Sequence, residues 1–360
     1  MRSPLLSSSF RSSLFRTVRP TIHREALLRC TFSTSCVALS STSSIGTQTK
    51  TSVSPSYGAV GVAAALDSKE ASAAEPTLFQ KEFSLGDRVA LVTGANRGLG
   101  LEMAMTLVEA GCRAVYCVDL PQSPGEEFTK VKQYVENMKG INGRMEYISA
   151  DVRDQATMWK IGKTIGDKEG RMDVCVAAAG ILKPDIDCLE YPADVFENTI
   201  DVNVCGVLYT AQAAGREMER FGNGGSIILI ASMSGSITNM HQHWVSYNTS
   251  KSAVLQMGRS MACELAQKGI RVNTLSPGYI YTKLTGLFVD SQPGLLEKWS
   301  SQNPSGRLGR PDELRGVVTW LASDASTYCN GSEYVKSPDL VPKMLKCFIS
   351  IIVDGGHRAW

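Results

Sequence analysis

Tyr247 and Lys251, in the run Tyr247-Asn248-Thr249-Ser250-Lys251, carry the first chemical signal. Four positions apart on a helix, they share one face and lie about one turn from each other. An ammonium beside a phenol favours the phenolate, so the spacing predicts a Tyr247 pKa below its usual ~10. A phenol tuned this way can pass a proton to or from an alcohol or a carbonyl. The same spacing also describes an ordinary helical surface pair, so the surrounding chain has to decide.

The second signal is a glycine-rich turn, Thr93-Gly94-Ala95-Asn96-Arg97-Gly98-Leu99-Gly100. It follows the short apolar run Arg88-Val89-Ala90-Leu91-Val92, which reads as a buried strand. It opens an amphipathic helix over about 99–110 that Gly111 stops. Strand, glycine turn and helix form a dinucleotide context. The glycines permit a tight turn and close approach of backbone to pyrophosphate, whose charge meets the helix N-terminus. The spacing is G-x-x-x-G-x-G, and Thr93, Gly94, Asn96, Arg97, Gly98, Leu99 and Gly100 are the candidate contacts.

Asp119 ends the second strand, 114–118. A carboxylate there accepts hydrogen bonds from the adenosine ribose and repels a 2′-phosphate, which favours NAD. Arg97 in the glycine loop pulls toward NADP. A carboxylate held near a phosphate costs more than a flexible Arg offsets, so NAD is the expected cofactor and NADP the alternative. Asp151, with Val152, closes the third strand, where a carboxylate can reach the adenine amine. Ala178, Ala179 and Gly180 follow the fourth strand, and such small residues let the backbone lie against a flat cofactor. Pro277, Gly278, Ile280 and Thr282 are the candidate contacts after a later strand, 271–275.

Ser232 directly follows the apolar strand 226–231, with Ser234 as its rival, and Asn203 falls inside a long helix predicted over 193–219. The pair His241-x-His243 has no neighbouring acid or Cys pattern in sequence, so no metal site is expected. Residues 279–305 look irregular with scattered apolar positions, suited to a lid. Pro311 starts another helix, and Ile351-Ile352-Val353 is a last short strand. Strands alternating with helices predict an α/β, doubly wound parallel sheet of Rossmann type in a single domain, with its ligand beyond the strand C-termini.

Outside this region the composition changes. Six arginines, Arg2, Arg11, Arg16, Arg19, Arg24 and Arg29, face one acid, Glu25, before Asp67. Leu6, Phe10, Leu14 and Val18 form one helical stripe that Pro20 ends. This pattern predicts a mitochondrial transit peptide over 1–40; a basic tail that leaves the protein in the cytoplasm is the alternative. Residues 41–82, rich in Ser, Thr, Ala and Gly, read as a linker, and the globular domain as 83–360. The chain has 360 residues, 43% hydrophobic and 20% charged, enough for a large core. A formal net charge of +2 gives no electrostatic case for nucleic acid. No apolar run reaches the ~18 residues of a membrane span. Ten cysteines without a C-x-x-C pair fit a reducing compartment.

Taken in order, Thr93-Gly94-x-x-x-Gly98-x-Gly100, Asp151, Asn203, Ser232, Tyr247 with Lys251, Asn273 and Pro277-Gly278 resemble the short-chain dehydrogenase/reductase family over 83–360. The runs 226–235 and 271–278 and the tail from Asp354 to Trp360 are similar to fungal D-arabinitol 2-dehydrogenases and sorbose reductases. The resemblance implies Tyr247 as catalytic acid/base, and Lys251 as the residue that lowers its pKa and binds the nicotinamide ribose. It implies that Ser232 holds the substrate oxygen and that Asn203 anchors a water for proton relay. It also implies a homotetramer or homodimer paired through its long helices. The expected function is NAD(P)-dependent interconversion of a secondary alcohol and a ketone, most naturally a polyol and a ketose such as those of D-arabinitol chemistry.

The chain departs from the family at three places. Ala177-Ala178-Ala179-Gly180 stands where Asn-Asn-Ala-Gly is usual. The segment before Tyr247 keeps Gln242 as a candidate polyol contact but places Trp244 beside it. With the apolar Ile181, Leu182 and Leu287, Trp244 leaves a more apolar ketone or secondary metabolite as the alternative substrate. Residues 336–350 form an insert, read as a retained intron or as a surface loop. A dinucleotide sensor without catalysis is the remaining alternative, and such a protein need not keep Asn203, Ser232, Tyr247 and Lys251 together.

Overall fold

Val89-Ala90-Leu91-Val92-Thr93 is buried at every position, as a strand covered on both faces must be. The computed structural model describes residues 58–67, 75–183, 185–290, 292–332 and 350–353, with backbone alone for Leu284, Leu287, Phe288 and 350–353. The expected presequence, the insert up to residue 349 and the 354–360 tail lie outside the described residues.

Among the described residues seven strands form one parallel sheet: β1 (Val89–Thr93), β2 (Ala114–Asp119), β3 (Arg144–Ser149), β4 (Val174–Ala177), β5 (Gly225–Ile230), β6 (Ile270–Pro277) and β7 (Ser350–Val353). Their order is β3-β2-β1-β4-β5-β6-β7. The chain winds one way from β1 and the other way from β4. The crevice beyond the carboxyl ends of β1 and β4 is therefore the topological switch point, where such sheets bind ligands.

Alternation along the strands divides the core. Val89 and Leu91 face one layer with Met158, Ile161 and Ile165 of α4 (Gln155–Glu169), Met218 of α6 (Gly206–Phe221) and Val254 of α7 (Val245–Leu265). Ala90 and Val92 face the other, with Leu107 of α2 (Gly98–Glu109), Phe128 of α3 (Glu126–Glu136) and Val318 of α10 (Arg315–Ala322). Each fully buried aliphatic or aromatic side chain contributes about 1.5–3 kcal/mol, so the two layers hold the helices against both faces of the sheet. Asp154 caps α4 by accepting the Thr157 N–H, and Gly170 ends it at φ 72°.

Three elements differ from the sequence-based expectation. The helix predicted over 193–219 is α5 (Ala193–Ile200), one π turn (Asp201–Cys205) and α6. The stretch 279–305 is not irregular; it carries α8 (Lys283–Asp290) and α9 (Leu295–Ser301). Their apolar residues Val289, Leu295 and Trp299 join Met233, Trp244, Tyr279 and Leu308 in a third buried cluster. Within the stretch read as a linker, α1 (Gly61–Asp67) and a π turn (Leu78–Glu82) are helical, and neither buries a residue.

Candidate active site

The tips of β4, β5 and β6 and the first turns of α7 bring the expected residues together. Ser232 follows β5 in extended conformation, where its Oγ accepts the Ser234 N–H at 3.2 Å and lies beside the Tyr247 side chain. Ser234 is buried, and the hydroxyl that touches Tyr247 is that of Ser232. Lys251 Nζ donates to the Ile230 carbonyl at 2.8 Å and lies 5.7 Å from the Tyr247 ring centroid. It also borders Gly180, where an added Cβ would come within 3.6 Å of Nζ and 3.3 Å of Asn203 Oδ1.

The electrostatics correct one expectation. Burial pushes the Tyr247 phenol above its usual range, opposed by the Ser232 hydrogen bond. Burial pushes Lys251 down to about 8. The predicted fall in the Tyr247 pKa rested on an ammonium facing the phenol. In this structure the ammonium instead faces a backbone carbonyl, and desolvation sets the direction of both shifts.

Asn203 sits in the π turn between α5 and α6. Its Nδ2 donates to the Ile181 carbonyl (2.9 Å) and to Ser250 Oγ (3.0 Å), and its Oδ1 accepts the Ile181 N–H (2.8 Å). Both amide protons are committed within the protein, so the side chain clamps the turn after β4. The π turn over Asp201–Cys205 is the local reason. One extra residue in the helical ladder re-aims this position, and such turns cluster at functional sites.

The dinucleotide side has the form that the glycine motif requires. An added Cβ at Gly94 would lie 2.8 Å from Ala179 Cα and 2.9 Å from the Ala178 carbonyl, and Gly94 has φ 68°. At Gly100 it would lie 2.2 Å from the Gly94 carbonyl, whereas Gly98, φ 59°, faces open space at the start of α2. No side chain caps that helix N-terminus, so its N–H groups are available to an anion. Asp119 Oδ2 accepts the Asn96 N–H at 2.9 Å and Oδ1 the Leu120 N–H at 2.8 Å, fixing a half-buried carboxylate beside the loop. Asn96 Oδ1 accepts the Gly125 N–H at 2.7 Å, and Thr93 Oγ1 accepts the Ala179 N–H at 3.3 Å. These residues fit a nicotinamide dinucleotide.

The remaining candidates divide. Arg97 is exposed and Leu99 packs on the core. The Asp151 carboxylate is paired with Arg153, which holds its pKa below the usual range. Val152 is buried against Gly206, a packing role. Ile280 is bridged to Gly309 and buried, and Thr282 bonds Thr285 at the start of α8. Pro277 ends β6, with Gly278 next in the chain.

On the substrate side, Trp244 is buried behind Tyr247, ring centroids 6.2 Å apart, and 6.3 Å from Trp299. Trp299 stacks on Tyr279 at 4.2 Å and 7°. Asn239 Nδ2 donates to the Tyr279 hydroxyl at 3.0 Å. Gln242 is half-buried, and its main-chain N–H donates to the Asn239 carbonyl at 3.2 Å. His243 does have an acid partner, Asp185, at 3.0 Å from Nδ1, supplied by the loop after β4. Among the described residues no cluster of three or more His, Cys, Asp or Glu is arranged to hold a metal, and no helix is long and apolar enough to cross a membrane. Trp299, Tyr279, Asn239 and Ser250 were not foreseen. Ser250 alone had a local signal, since a Ser three residues after Tyr247 can bond its carbonyl.

A glycine-cradled crevice at the switch point, with a Tyr, a Lys and a Ser meeting one strand further on, defines a nicotinamide-dependent oxidoreductase. The family model described as enoyl-(acyl carrier protein) reductase matches residues 94–336. The chain belongs to the short-chain dehydrogenase/reductase family, and it is an NAD(P)-dependent oxidoreductase that interconverts alcohols and carbonyl compounds. It is 35% identical over 275 residues to the sorbose reductase of Schizosaccharomyces pombe, covering 76% of this chain and 97% of that protein. Identity to the ribulose-forming D-arabinitol 2-dehydrogenase of Candida tropicalis is 33% over 285 residues, 77% and 95% of the two chains. The crystal structure of a gluconate 5-dehydrogenase from Burkholderia cenocepacia J2315, in complex with NADP and tartrate, superposes with a TM-score of 0.66. It is 28% identical, and the match covers 78% of this chain and 98% of that one.

Proposed function

We propose that this enzyme interconverts a polyol and its ketose with NAD as the preferred cofactor. The observation that carries the chemistry is the contact between Ser232 and Tyr247, one helical turn from Lys251. In oxidation, Ser232 Oγ holds the substrate hydroxyl and Tyr247 takes its proton, while Lys251 keeps positive charge beside the phenolate that receives it. In reduction the same phenol returns the proton to the forming alkoxide. A bound nicotinamide would supply the hydride acceptor for oxidation and the hydride donor for reduction. Gly94, Gly98, Gly100 and the N-terminus of α2 would hold the pyrophosphate, and Asp119 the adenosine ribose. The preference for NAD is supported by Asp119, whose carboxylate is fixed at the end of β2 by the Asn96 and Leu120 N–H groups and would repel a 2′-phosphate on the adenosine ribose. The substrate class rests on the likeness to sorbose reductase and D-arabinitol 2-dehydrogenase.

A more apolar ketone is the second reading, favoured by the aromatic cluster of Trp244, Trp299 and Tyr279 beside Tyr247. The arginine-rich, acid-poor N-terminus supports import into mitochondria, which a fluorescent fusion of residues 1–40 tests directly. For the chemistry, the purified protein is assayed with NAD and NADP against D-arabinitol, mannitol, sorbose and a hydrophobic ketone. Tyr247→Phe should lower turnover by roughly 10²–10⁴-fold while cofactor still binds. Equal rates for the two proteins would remove Tyr247 from its role, and turnover of the hydrophobic ketone alone would select the second reading.

A further inference from the structure

We infer that Ser250 is a positioning residue that fixes the acid/base Tyr247 in register with the cofactor-facing turn after β4. The inference rests on the proton-transfer role proposed for Tyr247. Ser250 has no accessible surface. Its hydroxyl donates to the main-chain carbonyl of Tyr247 at 2.7 Å and accepts from Asn203 Nδ2 at 3.0 Å. Asn203, equally buried, grips Ile181 through both the N–H and the carbonyl of that residue. A continuous path of hydrogen bonds, buried at its centre between Asn203 and Ser250, thus runs from the turn after β4, through the π turn, to the backbone of Tyr247.

This path matters more here because Ala177, which ends β4, and the turn Ala178-Ala179-Gly180 after it have no side-chain amides of their own. Beyond the Asn203 clamp, the described side-chain tie on that turn is Thr93 Oγ1, at the longer distance of 3.3 Å. Removing the Ser250 hydroxyl leaves one Asn203 N–H without its acceptor in a site closed to water, and such a group does not stay where it was. Tyr247 and the turn then lose their common reference. Misplacement of reacting groups by about 1 Å costs on the order of 10²-fold in rate without a matching loss of binding.

The test uses the full-length enzyme with a substrate it turns over. Ser250→Ala should lower kcat by about 10- to 100-fold, with the dissociation constant for the cofactor, read by fluorescence quenching, and the alcohol KM both unchanged within about threefold. Ser250→Thr, which keeps the hydroxyl, should restore most of the rate. In a Tyr247→Phe background, Ser250→Ala should leave the residual rate unaltered, because the group being positioned is gone. An unchanged kcat in Ser250→Ala overturns the inference, as does a loss of kcat matched by an equal loss of cofactor binding. If Ser250→Ala does not fold, Ser250→Cys, close in size but a weak donor, replaces it under the same criteria. Tyr247→Phe turning over at the wild-type rate would instead overturn the proposed role of Tyr247.

Discussion

Lys251→Met should abolish catalysis and yet make the cofactor-free protein more stable at neutral pH. Lys251 is 4% exposed, and burial brings its ammonium from an ordinary 10.5 down to about 8. At 1.36 kcal/mol per pKa unit, that shift corresponds to about 3 kcal/mol of penalty on the charged form. Methionine has a similar shape and removes the penalty, but it also removes the bond from Nζ to the Ile230 carbonyl. Losing that partner costs about 1–2 kcal/mol. The net gain is about 1–2 kcal/mol below pH 8, worth a few degrees in Tm. The pH dependence follows from linkage. With the folded pKa depressed, the unfolded chain binds more protons between pH 8 and 10.5, so wild-type stability rises through that window. The penalty is full below pH 8 and gone above 10.5, so the advantage of the variant shrinks as pH rises. Urea unfolding of both proteins from pH 6.5 to 9.5, without cofactor, reads this difference directly. A variant less stable than wild type at pH 7, or a difference that stays constant over the range, would refute the placement of a desolvated ammonium at this site.

Three further outcomes follow from the geometry. Asp119→Ser removes the acceptor for the Asn96 and Leu120 N–H groups; NAD affinity should fall by about tenfold and the NADP/NAD ratio of kcat/KM should rise, and an unchanged ratio would exclude Asp119 as the discriminator. Gly94→Ala puts a Cβ 2.8 Å from Ala179 Cα in a backbone at φ 68°; cofactor binding should weaken by on the order of 10²-fold, measured by titration, while circular dichroism keeps the α/β spectrum. Trp299→Ala deletes the ring stacked on Tyr279, a loss of about 3–5 kcal/mol of packing confined to the cluster that ties α9 to α7. Limited proteolysis within 283–301 should accelerate and the alcohol KM should rise, with cofactor affinity preserved.

What could be read from the residues alone is what local geometry dictates. Strand burial and helix amphipathicity have fixed periods, so β1 through β6 and α2, α4 and α7 fall within a few residues of where patterning places them. The glycine turn carries its own conformational requirement, and Tyr247 and Lys251 meet on one helix face because 3.6 residues make a turn. Asp119 at a strand end and Ser232 after β5 were legible for the same reason. The tertiary structure decided what depends on residues far apart in the chain. Asn203 spends its amide on Ile181 and Ser250, 22 and 47 positions away. His243 finds Asp185 across 58 residues, and Trp299 finds Tyr279 only once α9 folds over the strand ends. The sign of the Tyr247 shift belongs to the same class. Spacing supplies the nearby ammonium, but the cost of desolvation is set by everything that packs around both groups.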